Sequence, residues 1–156
     1  IRFIGPMRRF DYIYAALIGF AYVILIGFMT GMSMTWGDFI SRDDFWGQSN
    51  VAAIAYMQIY HSIGVALAAL PVGIVTACRY ADRWFRPTLI GAIIGGSYML
   101  LDQLRGVWIL SQHGVDPEVR HIVSGVIDTI KTPLILLVIT AGIFWALTAK
   151  HSVASD

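Results

Sequence analysis

Residues 122–149 read IVSGVIDTIKTPLILLVITAGIFWALTA, and this stretch decides the fold. A bilayer core about 30 Å thick takes roughly 20 apolar residues wound as a helix. The stretch is long enough, and apolar side chains surround any helix drawn through it. A soluble amphipathic helix would carry a polar stripe instead. Three further segments share the pattern, at 12–32, 51–77 and 89–111. The expectation is an all-α integral membrane protein, a bundle of four transmembrane helices forming one domain over residues 1–156.

Composition supports the same reading. Apolar residues make up 57% of the chain and charged residues 13%, against roughly 25% charged in ordinary soluble domains. The formal net charge of +1 supplies no basic field for nucleic acid. Cys78 is the only cysteine, so an internal disulfide and thiol-pair redox chemistry are excluded. Arg8 and Arg9 precede an apolar segment longer than the core of a signal peptide.

Helix starts carry their own marks. Ser49 and Asn50 can cap the second helix, Pro87 and Thr88 open the third, and Asp116-Pro117-Glu118 precedes the fourth. Pro71 and Pro133 each remove a backbone donor, which predicts bends in the second and fourth helices. Trp36, Phe39, Phe45 and Trp46 gather between the first two segments. Their amphipathic rings favour the headgroup level, so a short surface helix is expected within 33–50. Trp84, Phe85, Trp108 and Trp145 are placed at membrane boundaries by the same reasoning.

Orientation follows from the basic residues. Arg2, Arg8 and Arg9 precede the first segment; Arg79, Arg83 and Arg86 lie between the second and third; Lys150 follows the fourth. The opposite loops hold only Arg42 and Arg120 among several acids. The positive-inside rule then places both termini in the cytoplasm, and a bacterial inner membrane is the expected location.

The chemistry-bearing residues are those that belong poorly in lipid. Asp102, Gln103 and Arg105 lie in the third segment, Asp128 and Lys131 in the fourth, Gln58 and His61 in the second. Charges at such depth cost about 2.5–3.5 kcal/mol each on insertion scales, so they face the protein interior and find partners. A symmetric hairpin of helices three and four would bring Asp102 level with Lys131, and Arg105 level with Asp128. At 1.5 Å per residue the two levels lie roughly 9 Å and 13 Å below the outer boundary. A single polar cluster lined by helices two, three and four is expected, with the first helix as a lid or a lipid-facing element. It can act as a neutralised clamp or as a passage for a proton, ion or polar substrate.

Other features are weaker. Gly27 and Gly31, and Gly91 and Gly95, are spaced four apart as in close helix contacts. Met29, Met32 and Met34 form a thioether run that can hold Cu(I) or simply fill apolar space. His113, Asp116, Glu118 and His121 can bind a metal but fit caps and solvated charges better. Haem needs two axial ligands, and only His61 lies well inside a segment. Adjacent positions on a helix diverge, so His61 does not activate Ser62, and no nucleophile elbow, zinc-protease or phosphate-loop motif occurs.

The expected partners are membrane lipids together with other membrane subunits or copies of the chain, with no particular cofactor indicated. Two functional classes remain. The first is a non-catalytic accessory or structural subunit of a larger inner-membrane complex. The alternative is a small oligomeric transporter or channel that works through the charged cluster. A metal or cofactor protein comes third, and the case for an enzyme is weak.

Overall fold

The computed structural model describes residues 9–41, 50–80, 83–114 and 119–153. Four helices carry nearly all of them: α1, Arg9–Ser41; α2, Asn50–Tyr80; α3, Phe85–Gln112; and α4, Val119–Val153. The three hydrophobic windows Arg9–Ser33, Met57–Tyr80 and Ile122–Ala149 are long and apolar enough to cross a membrane. The third helix falls short of them because Asp102, Gln103 and Arg105 interrupt its apolar run.

Helices extend beyond the expected segments. The surface helix expected within 33–50 is, as far as Ser41, a continuation of α1, while 42–49 lie outside the described residues. Pro71 and Pro133 sit inside α2 and α4, which each continue as one helix through them. Pro87 falls in the first turn of α3, where the missing N–H would have had no helical partner. Thr88 secures that turn, its amide and its hydroxyl both donating to the Trp84 carbonyl at 3.1 and 2.7 Å.

Around the bundle the order is α1, α2, α4, α3. Both α1 and α4 pack on α2 and α3, and the diagonal pair α2 and α3 scarcely touch. Polar and apolar residues are inverted relative to a water-soluble bundle. Phe10, Phe20, Ile24, Phe28, Ile93, Leu101, Val138 and Trp145 are exposed. The buried set is rich in Ala15, Ala68, Ala69, Ala77 and Ala92 with Ser33, Thr76, Thr88, Thr132 and Thr140. An apolar exterior of this extent is what lipid covers, and small residues inside let helix backbones approach. The threonine hydroxyls at 76, 88 and 140 donate to the carbonyl four residues back, which satisfies them without a second helix.

The first helix is not simply lipid-facing. Tyr22 and Ile26 on it are fully buried, and the Tyr22 hydroxyl donates to the Thr132 carbonyl on α4 at 3.0 Å. It faces inward because Gly95 on α3 leaves room for the Tyr22 ring: a Cβ there would stand 2.9 Å from it. At the end of the bundle holding the start of α1, the Arg79 guanidinium lies 3.9 Å over the Tyr14 ring, and the Tyr80 hydroxyl donates to the Asp11 carbonyl. Trp84, expected at the headgroup level, is buried between helices and packs against Phe144.

Candidate functional site

Three positions on α4, Ser124, Asp128 and Lys131, lie at helical spacing on one face. That face turns to α2 rather than α3. Gln58 Nε2 donates to Ser124 Oγ at 2.7 Å. Lys131 Nζ donates to Gln58 Oε1, and to the Gln58 carbonyl at 3.3 Å. Asp128 Oδ1 lies 2.8 Å from Lys131 Nζ and 3.0 Å from His61 Nδ1. Both are close electrostatic approaches; neither is aligned as a hydrogen bond, and Oδ1 is sealed from solvent. Asp128 is only 6% exposed, so a carboxylate is held inside the bundle by a cation one turn away and an imidazole from the neighbouring helix. Ser62 donates to the Gln58 carbonyl at 2.6 Å and takes no part with His61.

The pairing expected between α3 and α4 does not form. Among the described residues, the ion pairs of Asp128 are with Lys131 and His61, while Asp102 and Arg105 are exposed and in no ion pair. The reason is register. Gly95 lies by Thr132, Gly96 by Pro133, Gly91 by Leu136 and Gly125 by Gln103. These contacts set Asp128 level with about Leu100 and move Asp102 off the Lys131 level by roughly five residues, about 7.5 Å. Where glycines admit a neighbour decides the level of two helices, and symmetry about the loop does not.

A cavity of about 460 Å³ opens beside this cluster, between all four helices. It lies toward the end where α1 and α3 finish and α2 and α4 begin. Asp128, His61, Asp102, Gln103, Ser124, Thr30 and Tyr98 supply its polar wall, and Ile26, Met57 and Met99 its apolar wall. Lys131 does not line it; its ammonium is engaged by Asp128 and Gln58 behind the wall. Thus Gln58, His61, Asp128 and Lys131 are brought together, Asp102 and Gln103 join them across the cavity, and Arg105 stands apart. Ser124 was missed. Its spacing of four and seven from Asp128 and Lys131 was the available signal.

The glycines divide. Gly27 and Gly31 border the cavity, and a Cβ on either would meet nothing within 4 Å. Within the chain they do not serve as a close-packing ridge. Gly91 and Gly95 do face other helices, and so do Gly19 and Gly64, which the four-residue spacing did not single out. Of the methionine run, Met29 packs against the core, Met32 is exposed, and the Met34 side chain lies outside the described residues. Of the outer-loop metal candidates, His113 is exposed, with its ring nitrogen 2.8 Å from the Ile109 carbonyl. Asp116 and Glu118 and the His121 side chain are outside the described residues. Among the described residues, no three of His, Cys, Asp and Glu gather as metal ligands.

The arrangement defines a class: a helical bundle with an apolar exterior and an open, largely apolar cavity into which a few polar groups project. No family model, curated protein or solved structure matches the chain.

Proposed function

We propose that this is a small transporter or channel that admits a polar solute to the cavity between its four helices. One observation carries the reading: all four helices contribute to a space of about 460 Å³, and the polar groups of α2, α3 and α4 converge on it. Ligand sites are commonly a few hundred Å³, mostly apolar, with a few placed polar groups. An ionisable residue within a membrane is by default a candidate for such a pathway. The reading takes α3 as a fourth crossing and both termini as cytoplasmic, in a bacterial inner membrane. It is supported by the basic residues before α1, between α2 and α3, and at Lys150. The cavity then lies toward the outer face.

The test is aqueous access. In a Cys78→Ser background, Gly27→Cys borders the cavity and Ile24→Cys lies on the exposed flank of the same helix. A charged, membrane-impermeant methanethiosulfonate added outside spheroplasts is expected to label the first and not the second. Labelling of neither, or of both equally, defeats the proposal.

A second reading, an accessory subunit of a larger inner-membrane complex, is favoured by α3. Its Asp102 and Arg105 are exposed, and its apolar run falls short of the other three helices. A partner subunit packed there would cover them. The mass of the intact particle purified from native membranes in mild detergent separates the two: unrelated subunits in fixed stoichiometry support the second reading.

A further inference from the structure

The cavity's charges do not balance, and their imbalance is informative. Two carboxylates, Asp102 and Asp128, line it, and among the described residues no lysine or arginine does. Lys131 offsets Asp128 from behind the wall at 2.8 Å, while Asp102 makes no ion pair among the described residues. Arg105, one turn further along α3, is exposed, does not line the cavity and makes no ion pair among the described residues. Asp128 is more than nine-tenths buried and lines the cavity, so a second carboxylate contributes to the field inside. Among the described residues the fixed charges on the cavity wall are these two carboxylates, and Asp102 is the one without a cation beside it.

Resting on the transporter reading above, we propose that the solute is a small organic cation bearing one positive charge, held against Asp102. A divalent metal ion fits poorly, because Lys131 already stands beside the second carboxylate. A bare monovalent ion would leave most of the 460 Å³ unfilled. The remaining wall suits an alkylammonium group. Tyr98 is an aromatic member of the wall, a residue type that attracts such cations, and Met57 and Met99 offer polarizable apolar contact. Gln103 and Ser124 can bond a hydroxyl or amide carried by the solute.

The experiment uses the full chain, purified in detergent, and three probes of nearly equal shape. Choline carries the positive charge, 3,3-dimethylbutan-1-ol is its neutral carbon isostere, and 3,3-dimethylbutanoate is an anion. Binding is measured by equilibrium dialysis. Choline is expected to bind at least about tenfold more tightly than the neutral isostere, with no binding of the anion. Asp102→Asn, at an exposed position that tolerates the change, is expected to remove that preference, whereas Arg105→Gln retains it. If the neutral isostere or the anion binds as well as choline, or Asp102→Asn leaves the preference intact, the cation inference fails and the cavity reading stands. If none of the three binds, the cation inference fails, and the labelling of Gly27→Cys decides separately whether the cavity reading fails with it.

Discussion

Replacing Gly64 by alanine tests how α1 and α2 are joined. A Cβ at Gly64 would stand 2.6 Å from Thr30 Cα, and 2.8 Å from both Thr30 N and Ser33 Oγ. Two of these are backbone atoms, so no side-chain rotation relieves the clash. To regain ordinary contact at 3.4 Å, α1 must recede by about 0.8 Å. Overpacking of this kind costs about 1–3 kcal/mol. The retreat also strains the Ser33 hydroxyl's bond to the Tyr60 carbonyl, 2.8 Å long, and a bond of that kind inside a membrane protein averages about 0.6 kcal/mol. Alanine's higher helix propensity returns about 0.8–1.0 kcal/mol. The net expectation for Gly64→Ala is a loss of about 1–3 kcal/mol. Gly27→Ala and Gly31→Ala meet nothing within 4 Å, so only the propensity gain of at most about 1 kcal/mol remains. The assay is reversible unfolding in mixed micelles with increasing SDS, followed by tryptophan fluorescence. Equal losses at Gly27 and Gly64 would refute the reasoning, because α1 would then be packing through its glycine pair and not bordering a cavity.

Two further predictions use the same assay. Lys131→Met leaves the Asp128 carboxylate buried with His61 alone and is expected to cost about 3–5 kcal/mol. Adding Asp128→Asn to it should recover about 0.5–3 kcal/mol, and a double variant worse than the single would show that the two groups are not coupled. Tyr22→Phe removes the hydroxyl that bonds the Thr132 carbonyl and is expected to cost about 0.6 kcal/mol, at most about 1.7. An unchanged midpoint would mean that this link between α1 and α4 contributes nothing to stability.

The charged residues show how far a sequence reaches. Asp128, Lys131, His61 and Gln58 were legible as a cluster because lipid penalises each of them alone, whatever the fold. Their partners were not legible. A hairpin drawn symmetrically about its loop paired Asp102 with Lys131, while the packing of Gly95 and Gly96 against Thr132 and Pro133 slides the helices by more than a turn. The same limit applies to glycines. Spacing identifies a ridge, but Gly27 and Gly31 border the cavity, whereas Gly64, outside any such spacing, is where α1 approaches α2 closely.

Helix number and the approximate extent of each apolar segment were thus determined by the sequence alone, because the free energy of placing apolar side chains in lipid or water is local and additive along the chain. The order α1, α2, α4, α3 around the bundle, the inward turn of Tyr22, the face α4 offers to α2 and the existence of the cavity belong to the tertiary structure. Each depends on which surfaces interlock. Within a uniformly apolar solvent no difference in hydrophobicity selects among helix faces, so shape and a few polar bonds make that choice.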